Sequence, residues 1–293
     1  MPLPKSSLVK QDLCLGKDTI DNIIRHALTE DIGKGDITTQ LMIPENKKIT
    51  AHFLAKAHCC ICGLVVADRV FHLVDPTLAF QARVKEGACV KAGKIIAVVS
   101  GKARSILAAE RVALNIVSML SGIATKTRDY VLEIEPLKTR ITDTRKTFPC
   151  LRELQKYAVR VGGGSNHRMR LDEMILIKDN HIKIMEGFTA LPSVPKGVKI
   201  EIEVQSLEEF HHAIRFKPDV IMLDNMSLAD IKKAVAIRNG ILFNTHHPRT
   251  QLEVSGGVTL QTVKKIARTG VEIISIGDLT HSVRSADICL DVV

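Results

Sequence analysis

From Thr139 to Asp278 the chain alternates short apolar runs with longer segments of helical periodicity, and this constrains the fold most. TRITDT precedes LRELQKYAVRV, EMILIKDN follows, VKIEIEV precedes SLEEFHHAIRF, and VIMLDN precedes SLADIKKAVAIRN. ILFNT and QLEVSGG then stand before LQTVKKIARTG, and EIISIGD closes the series. A strand that returns to its own sheet through a helix runs parallel to its predecessor, so repetition predicts a parallel sheet with crossover helices. Ser206 with Glu209 three residues on predicts a capped helix start, and Ser227 with Asp230 a weaker one. Aromatic residues make up only 3% of the chain and Trp is absent, so the core must be aliphatic, as in parallel sheets and α/β barrels.

The first hundred residues follow a different pattern. DTIDNIIRHALTE sets Ile20, Ile23, Ile24, Ala27 and Leu28 at helical spacing, which predicts an amphipathic helix over 18–30. EDIGKGDITTQ reads as a polar, glycine-punctuated loop. Between Thr50 and Val99 the runs AHFLAKA, CCICGLVV, LAFQARV and KIIAVVS predict a small, mainly β domain with one helix over 64–74. VKEGACVKAGKIIAVVSG resembles the turn of lipoyl- and biotinyl-carrier domains but lacks their lysine beside methionine, so it is expected to be a structural hairpin. Residues 102–121 read as a long helix burying Ile106, Leu107, Ala113, Leu114, Val117 and Leu120.

A formal net charge of +9 suits nucleic acid, an anionic membrane or small acidic ligands. No dense basic tail or nucleic-acid module occurs, and two Tyr with eight Phe make a poor stacking platform, so no nucleic-acid partner is expected. ICGLVVADRVFHLV is broken by Asp68 and Arg69 and falls short of the ~20 residues a membrane span needs, so no membrane association is expected. MPLPKSSLVKQD lacks the apolar core of a signal peptide. Seven scattered cysteines argue against a disulfide framework and for a reducing, cytoplasmic setting. The cluster His58, Cys59, Cys60 and Cys62 has no second ligand pair at zinc spacing, and His211–His212 and His246–His247 read as surface residues. Small anionic ligands remain.

The expected strand ends agree. TRITDT leads into Asp143, Thr144, Arg145 and Lys146; EMILIKDN exits at Lys178; Glu203 lies near the end of VKIEIEV, and Asp224 ends VIMLDN. In an α/β barrel these ends share one rim, where chemistry resides. The turns at Ser255, Gly256 and Gly257 and at Ile276 and Gly277 let backbone amides approach a phosphate. Glu203 and Asp224 suit either ion pairing with nearby cations or a Mg²⁺–phosphate group and a developing sugar cation. In GGGSNHRMRLDEMILIKDNH, Gly162–Gly164 are expected to stop the preceding helix, leaving Asn166, His167 and Arg168 to enter the next rim strand.

Together, EDIGKGDITT, ERVALNIVSMLSGIAT, DTRKTFPCLRELQKYAV, GGGSNHRMRLDEMILIKDNH, EIEVQSLEE, VIMLDN, EVSGGV and ISIGDLTHS resemble the quinolinate phosphoribosyltransferase family, in family order over nearly the whole chain. The resemblance implies an incomplete α/β barrel with an N-terminal α+β sandwich-like domain. It implies a sandwich domain over 1–115, joined by the C-terminal segment 282–293, and a catalytic barrel over 116–281. It further implies a homodimer or a hexamer (a trimer of dimers) with shared active sites, acting on quinolinate and phosphoribosyl pyrophosphate to give nicotinate mononucleotide, pyrophosphate and CO2. By resemblance, Arg145, His167, Arg168 and Lys178 bind the quinolinate carboxylates, with Arg111 entering from a partner subunit. Lys146 and the backbone at Ser255–Gly257 and Ile276–Gly277 take the phosphates, while Glu203 and Asp224 lie near the ribose and its Mg²⁺, directly or through phosphate or water. Lys146, Glu203 and Asp224 are the expected catalytic groups.

Two departures from the family pattern stand out. Cys150 replaces a usual glycine in TFPCLR, and the segment over 240–252 is longer than usual. A paralogous phosphoribosyltransferase of the same fold is the nearest rival reading, and a basic non-enzymatic nucleic-acid binder a distant one.

Overall fold

The computed structural model describes residues 16–187, 190, 193–195, 197–242 and 250–293. They form two compact units: one over 1–128, 147–163 and 279–293, the other over 129–146 and 164–278.

In the first unit the helix α1 (Lys17–Ile32) slightly outruns its expected span and ends at Gly33, whose φ of 55° suits glycine. The expected polar loop then holds a short helix, α2 (Ile37–Met42). Asp36 caps it, its carboxylate accepting the Thr39 N–H at 2.9 Å. β1 (Lys48–Ala55), β2 (Cys59–Cys60), α3 (Leu64–Val74), β3 (Ala79–Ala82), β4 (Cys89–Val90) and β5 (Ile95–Lys102) follow. The helix over 64–74 stands where its periodicity placed it. Four strands make an antiparallel sheet in the order β12-β1-β5-β3, where β12 (Ile288–Val292) is the last strand of the chain. Phe53, Phe71 and Phe80 pack edge-on and stacked at 5.7–5.9 Å, gathering three of the ten aromatic residues in one cluster.

Two expectations fail here. VKEGACVKAGKIIAVVSG is not a hairpin, because β4 pairs with β2 while β5 lies between β1 and β3. The β2–β4 register sets Cys60 opposite Cys89, and the two form a disulfide across 29 residues. Direct cross-strand neighbours meet through tertiary pairing, which scattered spacing does not reveal. Cys59 and Cys62 are buried free thiols, and burial pushes the Cys62 thiol well up, so the cluster is structural.

The long helix α4 (Ala103–Ile134) runs far past residue 121. Ser121–Gly122 looks like a stop, yet Gly122 is there for close approach: a side chain on it would collide with the Arg284 carbonyl. The apolar stretch of α4 is long enough to cross a membrane by length and composition, but 61% of it is buried within the protein.

The second unit is built on β6 (Arg140–Thr142), β7 (Ile175–Ile177), β8 (Ile200–Val204), β9 (Val220–Asp224), β10 (Gln251–Ser255) and β11 (Ile273–Ser275). All are parallel, in the order β6-β11-β10-β9-β8-β7. The first two strands in sequence thus stand at opposite ends of the order, and a single parallel bridge, Thr142–Ser165, begins to close the gap beside β6. This is an incomplete α/β barrel, with the sandwich-like antiparallel sheet in the other unit. Its strands are aliphatic and almost wholly buried, as both faces of a parallel sheet require.

The helices α5 (Arg152–Val161), α6 (Asp179–Ile184), α7 (Leu207–Ala213), α8 (Leu228–Leu242), α9 (Leu260–Ala267) and α10 (Asp278–His281) complete the chain. Ser206 caps α7, accepting the Glu209 N–H at 3.1 Å, and Ser227 does the same for Asp230. Gly163, with φ 96°, ends α5 as expected. Cys150 takes φ 63°, so it occupies the left-handed turn that glycine fills in the family pattern. The expected strand ILFNT is corrected at its start, since Ile241 and Leu242 are helical in α8. The remainder, His246–His247 and most of the longer segment, lies outside the described residues. His211 and His212 are exposed, as expected.

Candidate active site

The carboxyl ends of β6 to β9 carry the charged side chains. Just past β6, Asp143 is fully buried and accepts the His167 N–H at 3.0 Å and a hydrogen bond from the Asn166 amide. A carboxylate so held ties the segment after Gly164 to the sheet end and sets the position of His167. The His167 ring is committed at both nitrogens: Nδ1 accepts the Arg168 N–H at 2.8 Å, and Nε2 lies 3.0 Å from Glu201 Oε2. Arg168 in turn donates from Nη1 to the Met174 carbonyl at 2.8 Å. Burial lowers the Arg168 pKa, and the neighbouring Arg145 guanidinium lowers it further. The fold therefore holds two like charges close together in a half-buried setting.

Lys178 leaves β7 at the mouth of α6, its N–H donating to His181 Nδ1 at 2.9 Å. Its ammonium lies 2.6 Å from Glu203 Oε2, and Glu203 is only 7% exposed. The ion-pairing reading of Glu203 thus holds. Asp224 ends β9 half-buried and accepts from the Asn225 amide at 2.8 Å. Its register partner is Ser255 at the end of β10, where Gly256 (φ 87°) and Gly257 (φ 58°) turn the chain. A side chain at Gly256 would collide with Asn225, so this turn requires glycine. Ile276 is buried and gives its N–H to the Thr142 carbonyl at 2.9 Å, which corrects the expectation that it offers an amide to phosphate; Gly277 follows, half-buried. Lys146 is exposed, its N–H donating to Thr144 Oγ1 at 3.0 Å. Arg111 is exposed on α4 in the other unit. A cavity of about 760 Å³ opens beside Glu203, lined by Asp179, Lys183, Gln205, Glu209 and Arg215 among others.

Two residues of this region escape a reading by strand ends: Glu201 and Glu253. Glu201 and Glu253 are fully buried within the sheet, on β8 and β10. The only sequence signal was a carboxylate inside an apolar strand, twice in VKIEIEV and once in QLEV. Among the described residues His167, Glu201 and Glu253 alone lie close enough to share a metal ion, so Glu203 and Asp224 form no ready-made cage. Hard carboxylate oxygens on adjacent strands do suit Mg²⁺ when a substrate's phosphates and water complete its shell.

The sequence pattern described as quinolinate phosphoribosyl transferase, N-terminal domain, matches residues 36–121, and that of the C-terminal domain matches residues 123–291. The Mycobacterium leprae protein named nicotinate-nucleotide pyrophosphorylase (carboxylating) is 40% identical over 283 residues, covering 94% of this chain and 97% of its own. A Nicotiana tabacum protein named quinolinate phosphoribosyltransferase (decarboxylating) 1b is 39% identical over 297 residues, covering 93% of this chain and 82% of its own. The structure of the Francisella tularensis nicotinate-nucleotide pyrophosphorylase superposes with a TM-score of 0.87 at 38% identity, covering 97% of this chain and all of that one. With both domain patterns matched in order and the strand-end charges in place, the chain belongs to the quinolinate phosphoribosyltransferase family.

Proposed function

We propose that the protein transfers the phosphoribosyl group of phosphoribosyl pyrophosphate to the ring nitrogen of quinolinate, releasing pyrophosphate and CO2 and leaving nicotinate mononucleotide, a step of NAD synthesis. The observation that carries this reading is the pairing of Arg145 with Arg168. Burial and the charge of Arg145 both disfavour the charged form of Arg168, and a bound dianion would offset both. Quinolinate, with carboxylates on adjacent ring carbons, is such a dianion.

Arg145, Arg168 and Lys178 hold the carboxylates, with His167 beside them and Arg111 supplied by a neighbouring copy. Lys146 and the turn at Ser255, Gly256 and Gly257 receive the phosphates. Lys178, released from Glu203 by the incoming acid, leaves that carboxylate facing the ribose. Glu203 and Asp224 then stabilise positive charge growing on the sugar as pyrophosphate departs. Asp224 and Glu203 would hold Mg²⁺ near the phosphates, where the ion would supply positive charge to the departing pyrophosphate. The positive charge on the ring nitrogen formed by the transfer stabilises the electron pair left on the adjacent carbon when CO2 leaves, and a proton from water then takes the place of the lost carboxylate. The working form is a cytoplasmic homodimer or trimer of dimers that shares its sites through Arg111.

The test is product analysis. Purified protein with quinolinate, phosphoribosyl pyrophosphate and Mg²⁺ is expected to release CO2 and pyrophosphate in equal amounts. Turnover only of nicotinic acid, which lacks the second carboxylate, would overturn the reading in favour of a paralogous transferase.

A further inference from the structure

Beside His167 lie two buried carboxylates, Glu201 and Glu253, to which the proposed chemistry gives no role. Glu201 is fully buried and Glu253 is 2% exposed. His167 Nε2 stands 3.0 Å from Glu201 and 3.7 Å from Glu253, and a ligand atom from each of the three lies within 4.8 Å of the others. Because Nδ1 accepts the Arg168 N–H, the ring proton must sit on Nε2 and point at Glu201. The ring is thus held between a buried carboxylate and the backbone of Arg168. Moving it would move an arginine of the site.

We propose that Glu253 is a positioning residue that keeps the floor of the quinolinate site at a single negative charge, by holding a proton against Glu201 while Glu201 orients His167. The inference rests on the quinolinate reading of the rim. Two carboxylates in one dry space do not both ionise, since each lacks water and repels the other. Glu201 Oε1 and Glu253 Oε1 are both buried without a hydrogen-bond partner among the described residues, and a proton on Glu253 removes the charge of a carboxylate that is poorly served by donors. Burial, then the charge of Glu201, raises the Glu253 pKa to about 8. His167, the Ser275 hydroxyl on β11 and Arg140 on β6 act in the opposite sense, and β9 sets the uncharged Met222 beside Glu253 in register. At neutral pH Glu253 therefore keeps its proton. Loss of the proton would add a second negative charge under the arginines that must hold a dianion.

The test compares KM and kcat for quinolinate, at saturating phosphoribosyl pyrophosphate, between about pH 7 and pH 9 in the wild type and in Glu253→Gln, which is neutral throughout. The wild-type KM is expected to rise about tenfold over this range with a much smaller change in kcat, and the ratio of the two KM values to stay near one in the variant. Equal pH slopes in the two proteins would overturn the proposal. A wild type that never turns over quinolinate would instead overturn the reading of the rim. Should the variant fail to fold, infrared spectra of the wild type supply the check: a protonated carboxylic acid band is expected at pH 7 and lost by pH 9, and its absence at pH 7 sinks the idea. Zinc bound tightly by the wild type and lost in Glu253→Gln would equally overturn it, since a cation would then occupy the place of the proton.

Discussion

Arg145 sits close enough to Arg168 for its charge to lower the Arg168 pKa, so the two together suit an anionic ligand. Replacing Arg145 by Ala removes a charged hydrogen-bond donor worth about 1.5–3 kcal/mol, so KM for quinolinate is expected to rise well over tenfold. Steady-state kinetics check this, and unchanged constants would remove Arg145 from the site. Arg145, Lys146, Lys178 and Asp224 were legible in the chain because charged residues at the exits of apolar strands have no structural reason to cluster there. Glu201 and Glu253 were not. A carboxylate at every second position of a strand also describes a half-exposed sheet, and only the parallel neighbours on both sides show these two to be inside. The role of Ile276 was misjudged for a related reason: whether a backbone amide is open depends on the strand that comes to lie beside it.

Helices and strands were predictable where periodicity was strong, as for α3 and α5, and failed where a local stop signal had a tertiary purpose. Gly122 is the clearest instance. Within α4 it admits the chain at Arg284 and Ser285, which pass too close for any Cβ. Gly122→Ala is therefore expected to destabilise the protein by about 1–3 kcal/mol, despite alanine's better helix propensity, because overpacking against backbone cannot be relieved by a rotamer change. Thermal unfolding measures this; an unchanged or higher Tm would show that the segment at 284 moves aside freely. The β2–β4 pair teaches the converse. Its two residues per strand carry no periodicity, so neither the pairing nor the disulfide between Cys60 and Cys89 had a readable signature.

The stability of the folded protein carries the mark of Glu253. Its pKa is raised from 4.5 to about 8, so between those values the folded state holds a proton that the unfolded chain has released. Stability contributed there is complete below the lower value and lost as pH rises through the upper one. The Tm of Glu253→Gln relative to wild type is expected to increase between about pH 5 and pH 9, as calorimetry would show; a constant difference would mean that Glu253 is ionised in the folded state. Both units interleave along the chain, since 147–163 and 279–293 return to the first while 129–146 belongs to the second.

The amino-acid order alone settled the parallel sheet, the aliphatic core and the basic strand ends, because hydrophobic period and charge placement are local properties that every chain displays openly. Which carboxylates lie buried, which amides are spent on neighbours, and which cysteines meet were decided by tertiary structure. Those features depend on contacts between segments far apart in sequence, and the desolvation and pairing energies that govern them exist only once the sheet has assembled.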